Sequence, residues 1–173
     1  MANLFKNDEK SDFKIICQGK SFPCLKVIIG GQSDVFNAML ESNLLEAKEG
    51  QVEIEDVSSD TMETLLKFMY QGKVDSQNID VDLLLATDRF NIQSLLNICV
   101  KHFKDNLTVE NAMEVMVGSY LVKGGPAKNL FNAASHFARK NKGDLVKTSK
   151  WFDLKTSYPD ITSEIMDVIT FKV

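Results

Sequence analysis

The stretch QVEIEDVSSDTMETLLKFMYQGKV, residues 51–74, decides the fold. In residues 51–55 the apolar Val52 and Ile54 alternate with Glu53 and Glu55, the period of a strand with one wet face. Ser58, Ser59 and Asp60 then crowd into a turn. Asp60 with Glu63 three places on resembles a capping box, and Ser58 is the alternative cap. Met62, Leu65, Leu66 and Met69 follow at i, i+3, i+4, i+7, one apolar stripe on a helix. Phe68 and Tyr70 lie off that stripe, so the helix is apolar around much of its girth and belongs at the centre of the domain. Gly72 is placed to end it in a left-handed conformation.

Upstream, residues 12–24 read as a hairpin. Phe13, Ile15 and Cys17 alternate with Lys14, Ile16 and Gln18, and Gly19-Lys20 turns the chain into a second strand. Pro23 has no N–H to give a ladder and calls for an edge or strand-end position. Residues 26–29 form a short apolar helix, stopped by Gly30-Gly31. Ser33 caps a helix over 34–41 with Val35, Phe36, Met39 and Leu40 facing inward. The loop over 42–50 is polar except for Leu44 and Leu45, which either fold back under the loop or meet a partner. Before the hairpin, Leu4 and Phe5 stand out in a polar terminus.

Downstream, residues 75–80 form a polar connection. A helix over 81–90 carries Leu83, Leu84, Thr87 and Phe90 on one side, and Ile92, Leu95, Leu96, Cys99 and Phe103 give the cleanest helical stripe in the chain. Thr108 caps a helix over 109–122, and Lys123-Gly124-Gly125-Pro126 punctuates the chain. Three further helices are expected over 127–141, over 144–154 around Trp151, and over 161–171. Tyr158-Pro159 separates the last two.

The composition points to a soluble, non-secreted protein. With 173 residues the chain can bury a sizeable core. Its net charge of −4 gives no general attraction to phosphate backbones, so nucleic acid is not an expected partner. No apolar run approaches the ~20 residues of a spanning helix, and the N-terminus lacks a signal-peptide core. An intracellular location, nuclear or cytoplasmic, with reduced thiols follows as the expectation, and no membrane partner is expected.

Catalysis has little support. His102 and His136 sit on separate helices. Cys17, Cys24 and Cys99 have no CxxC spacing and fall on apolar faces, which suits buried structural thiols. The two Gly-Gly pairs lack the flanking pattern of a phosphate loop. The expectation is therefore no catalytic residue, no metal and no cofactor. A thiol enzyme using one of the cysteines is the alternative from another class.

Many short motifs in order carry a resemblance: SDFKIICQGKSFPCLKVII, SDVFNAMLESNLLEAKEGQVEI, FMYQGKV and VDLLLATDRFNIQSLLNICVKHFKDNLTVENAMEV. The chain resembles the BTB/POZ family, closest to its speckle-type POZ protein group. The likeness is firm over residues 4–122 and looser over 123–173. It implies an α+β fold, a small sheet flanked by a helical cluster, followed by an all-helical extension. The domains implied are a partial dimerisation segment over 1–10, the BTB/POZ domain over 11–105, and a three-box/BACK-like extension over 106–173.

The resemblance also implies roles. The family grips the N-terminal domain of cullin-3 with a hydrophobic-x-Glu motif, which Leu44 and Glu46 match, and Phe90 and Asn91 lie on the same implied groove. A fully buried leucine supplies roughly 1.5–3 kcal/mol, enough for an interface anchor. LTVENAMEVM matches the three-box, while GSYLVKGGPAKNLF departs from it. The family's homodimer surface maps to Leu4, Phe5, Asp12 and Ile28. Leu25 and Gln32 replace the family's usual histidine and arginine, which removes a basic neighbour from Asp12. Ile165, Met166 and Ile169 match a second self-association surface, a route to higher oligomers.

The function implied is a non-catalytic, dimeric adaptor that docks cullin-3 and brings substrates to a ubiquitin ligase. Relatives bind substrates through a separate module, commonly a MATH domain. The chain is then either a fragment of such a protein or borrows substrates through a partner. The alternative is a BTB oligomerisation or co-repressor scaffold that does not bind cullin.

Overall fold

The computed structural model of the protein describes residue 5 and residues 7–41, 50–122 and 125–170. The chain divides into two compact units, Met1–Leu95 and Leu96–Val173. Among the described residues, no helix is long and apolar enough to cross a membrane.

The first unit is built on a three-stranded sheet in the order β2-β1-β3. Strands β1 (Phe13–Cys17) and β2 (Lys20–Cys24) form an antiparallel hairpin with Ile15 opposite Phe22. Their turn is Gln18-Gly19, with φ of 49° and 73°, one residue earlier than the sequence reading placed it. A two-residue loop between right-twisted strands needs positive φ at both central positions, which leaves Lys20 free to pair with Cys17. Pro23 does lie on an edge strand. On the other side of β1, strand β3 (Gln51–Ile54) runs parallel to it with Ile15 opposite Val52. Phe13, Ile15, Cys17, Phe22, Cys24 and Ile54 are buried together.

Among the described residues, two helices lie between β2 and β3 in the connection of the parallel pair. Helix α1 (Lys26–Gln32) runs through Gly30-Gly31 instead of stopping there. A Cβ at Gly30 would sit 3.1 Å from Asn37 Oδ1 and 3.3 Å from Leu40 Cδ1, so this glycine serves close helix approach and is not a terminator. Ser33 caps α2 (Asp34–Glu41) as expected, the Phe36 N–H donating to its Oγ at 3.0 Å. Of the expected inward stripe only Phe36 is fully buried; Val35, Met39 and Leu40 are half-buried.

Helix α3 (Ser59–Gln71) is the centre of the unit. Met62, Leu65, Leu66, Phe68, Met69 and Tyr70 are all buried. At roughly 1.5–3 kcal/mol for each such side chain, its burial is a dominant stabilising term. The cap is Ser58, whose Oγ accepts from the Thr61 N–H at 3.1 Å. The Asp60/Glu63 capping box does not form. Glu63 instead pairs with Lys20 at 2.7 Å and Lys67 at 3.1 Å. Gly72 closes the helix with φ 67°, its N–H on the Phe68 carbonyl. Helix α4 (Val81–Arg89) starts on Asp80, whose Oδ1 accepts from the Leu83 N–H at 2.8 Å, and packs on α3.

Helix α5 (Gln93–Asp105) carries the expected stripe, with Leu95, Leu96, Cys99 and Phe103 buried. In the second unit α6 (Ala112–Leu121) packs on α7 (Gly125–Lys140), α9 (Ser149–Ser157) and α10 (Pro159–Thr170). That explains why α6 is apolar nearly all round. It begins three residues later than its sequence suggests. Thr108 and Asn111 bond each other's backbone N–H (2.8 and 3.3 Å) and hold residues 108–111 as a turn. The single helix expected over 144–154 is two, α8 (Lys142–Leu145) and α9, because Thr148 caps the latter through the Trp151 N–H.

Candidate partner-binding surface

The start of α2 and the α4–α5 join are locked together. The Ser33 hydroxyl donates to the Phe90 carbonyl while accepting from the Phe36 N–H, so one capping side chain serves two elements. Above it the Phe36 and Phe90 rings stack, centroids 4.5 Å apart and planes 4° from parallel. Phe90 is wholly buried. The resemblance sets it on a groove for a partner; in the structure its side chain lies in the core. Asn91 is half-buried, and its Nδ2 donates to Asp34 at 2.9 Å. Leu44 and Glu46 lie outside the described residues.

A second cluster surrounds α1. Val27 is 78% exposed, and Ile28 beside it is half-buried. Phe5 meets Tyr70 edge-on at 5.5 Å, and the Tyr70 hydroxyl accepts from the Leu25 N–H at 2.8 Å. Asp12 is exposed, and its Oδ1 accepts from the Lys26 N–H at 2.8 Å. A carboxylate at the opening of α1 is favourably placed in its own right, without the basic neighbour the family supplies. Gln32 donates to the Met69 carbonyl, so it ties α1 to α3. Leu4 lies outside the described residues.

In the second unit Ile165 and Ile169 are buried in its core. They were expected on a self-association surface; the inward face of α10 takes them instead. Met166 alone of the three is half-exposed, at a groove of about 250 Å3 formed with Trp151, Lys155, Pro159, Thr162 and Ser163.

The thiols are held away from chemistry. Cys17 and Cys24 are buried, and Cys17 Sγ donates to the Val57 carbonyl at 2.8 Å. Burial pushes the Cys17 thiol up. Burial, then the Asp12 charge, pushes Cys24 up to about 12. Neither is a nucleophile at neutral pH, since the thiolate is the reactive form. An open cleft of about 410 Å3 beside α3 and α4 has Asp56, Ser58, Thr61, Asp82 and Arg89 in its lining, with Arg89 paired to Asp56. Among the described residues, no histidine or cysteine lines it to make a nucleophile–base pair. Among the described residues, no group of three or more His, Cys, Asp or Glu is placed to hold a metal ion.

The sequence reading missed the Asp34–Asn91 and Ser33–Phe90 links. An asparagine directly after a helix-ending aromatic was the available signal, because asparagine tolerates the left-handed conformation that closes helices.

The family model described as BTB/POZ domain matches residues 1–107. TD and POZ domain-containing protein 4 of Mus musculus is 29% identical over 167 residues, which cover 95% of this chain and 44% of that protein. The chain thus spans less than half the length of this curated relative. Among solved structures, the BTB domain of zebrafish PATZ1 is 19% identical with a TM-score of 0.47, covering 56% of this chain and 77% of that one. The BTB domain of human gigaxonin is 20% identical with a TM-score of 0.46, covering 54% and 78%.

Proposed function

The chain belongs to the BTB/POZ domain family, non-catalytic protein–protein interaction modules, and on that premise we propose that it is a dimeric adaptor docking the N-terminal domain of cullin-3. In this reading it brings substrates, held by a separate module, to a ubiquitin ligase in the nucleus or cytoplasm. The domain division proposed is a BTB/POZ domain over 11–105 after a dimerisation segment over 1–10, with a helical extension over 106–173.

One observation carries the reading. Helix α2, whose chain runs directly into the Leu44-x-Glu46 segment, is anchored at its start on Phe90 and Asn91 through the Phe36–Phe90 stack and the Asp34–Asn91 bond. Phe90 and Asn91 therefore hold the helix that Leu44 and Glu46 follow in the sequence. The exposed Val27 and half-buried Ile28 support the dimer, since an apolar surface left open on one chain is covered at low cost by a second copy. Leu4, Phe5 and Asp12 belong to the same proposed interface, and Met166 to a second contact between copies. The name of the mouse relative carries a further domain beside POZ, which supports substrate choice outside the matched region. The chemistry promoted is proximity, a raised local concentration of substrate near the transferring enzyme.

The experiment is calorimetric titration of the chain with the cullin-3 N-terminal domain, with light scattering for mass. Roughly nanomolar to low-micromolar binding by a dimer is expected. A folded dimer that gives no binding heat overturns the cullin reading in favour of an oligomerisation or co-repressor scaffold.

A further inference from the structure

Asn91 follows the last turn of α4 with φ 51°, a left-handed conformation in which few residues other than glycine are found. Its backbone closes α4 in a Schellman arrangement. The Asn91 N–H bonds the Asp88 carbonyl at 3.0 Å, and the Ile92 N–H bonds the Thr87 carbonyl at 2.8 Å. Glycine would meet that backbone requirement at lower cost. What glycine lacks is the amide, and here the amide is engaged at both ends. Its Nδ2 donates to Asp34 at 2.9 Å, and its Oδ1 accepts from Gln93 Nε2 at 2.7 Å. Asp34 opens α2 and Gln93 opens α5, so one side chain ties the starts of two helices to the end of a third.

Resting on the adaptor reading above, we infer that Asn91 is a positioning residue that fixes α2 against the α4–α5 join. The exposed Asn37, Ala38 and Glu41 of α2 then meet a protein partner in one fixed arrangement. At a left-handed position that glycine fills as readily, an asparagine whose amide bonds the starts of two neighbouring helices is set there by its side chain and not by the backbone alone.

The test uses the full chain, with Asp34→Ala, Asp34→Asn and Asn91→Gly. Both Asp34 variants lose the same charge, but only asparagine keeps an acceptor for Asn91 Nδ2. The expected result is amide exchange in α2 roughly three- to tenfold faster in Asp34→Ala and Asn91→Gly, with a clearly smaller change in Asp34→Asn, which loses the first-turn charge but keeps the acceptor. Affinity for the cullin-3 N-terminal domain should fall about three- to tenfold in the first two variants and return in the third. Asn91→Gly should keep its melting temperature, because relief of the left-handed strain offsets the lost bonds; lost positioning is thereby separated from lost stability. Unchanged α2 exchange in Asp34→Ala overturns the positioning role, and so does faster exchange with undiminished affinity. If the wild-type chain does not bind cullin-3, the adaptor reading falls by itself. Asn91 is then judged on exchange, where faster α2 exchange sustains the role and unchanged exchange ends it.

Discussion

Phe36 and Phe90, 54 positions apart in the chain, stack face to face with centroids 4.5 Å apart, and both are buried. They join the front of α2 to the end of α4 and hold the base of the proposed partner surface. Either ring replaced by alanine should cost about 3–5 kcal/mol, measured by urea denaturation. The double replacement should cost less than the sum by about 0.5–1.5 kcal/mol, the share specific to the stacked pair. Strict additivity would show that the rings contribute burial alone.

Leu44→Asp should weaken binding to the cullin-3 N-terminal domain strongly while changing stability by less than about 1 kcal/mol, as expected for the polar loop its sequence predicts. Binding equal to wild type would mean that Leu44 is not the apolar anchor. Thermal unfolding run beside the titration separates loss of contact from loss of fold.

The two glycines of α1 should respond unequally to alanine. Nothing lies within 4 Å of a Cβ at Gly31, so Gly31→Ala should stabilise by about 0.5–1 kcal/mol through helix propensity. At Gly30 the same gain is opposed by crowding against Asn37 and Leu40. Gly30→Ala should therefore gain less than Gly31→Ala, or lose. Equal midpoints in chemical denaturation would remove the close-approach account of Gly30.

Alkaline pH should destabilise the protein through Cys24. Burial and the nearby Asp12 charge raise its folded pKa to about 12, so the folded state keeps a proton that the unfolded chain releases from about pH 9. The contribution is fully present below pH 9 and is lost as pH rises toward 12, at up to about 1.4 kcal/mol per pH unit. Cys17 and Tyr70, also raised by burial, act in the same direction. Cys24→Ala should flatten the fall of stability between pH 9 and 11. A variant with the wild-type slope would assign that fall to the other groups.

Much of the fold was legible because its signals are local. The stripe Met62, Leu65, Leu66, Met69 and the ending at Gly72 lie within one helix, and alternation from Phe13 to Cys17 lies within one strand. Where the reading went astray, a tertiary partner had overruled a local preference. Gly30-Gly31 looks like a stop until α2 is laid against it. The resemblance assigns Ile165 and Ile169 to a self-association surface, but α10 turns both into the core of its own unit. The links from Ser33 to Phe90 and from Asp34 to Asn91 each span 57 positions, and no window of sequence contains both ends. The family motif named Leu44 and Glu46, but periodicity could not have done so, because a short polar loop with two leucines reads equally well as folding back on itself.

The sheet order has a consequence for synthesis. β1 finds β2 after two residues, but its other edge is completed only when Val52 reaches Ile15. At about 5–20 residues per second on the ribosome, that edge stays open for roughly two to seven seconds. The nascent chain then presents a finished hairpin, apolar on one face, with one strand edge unpaired. The central strand thus gains one neighbour at once and its second only after the whole stretch to Val52 has been made, and strand pairing with the wrong chain has its opening there.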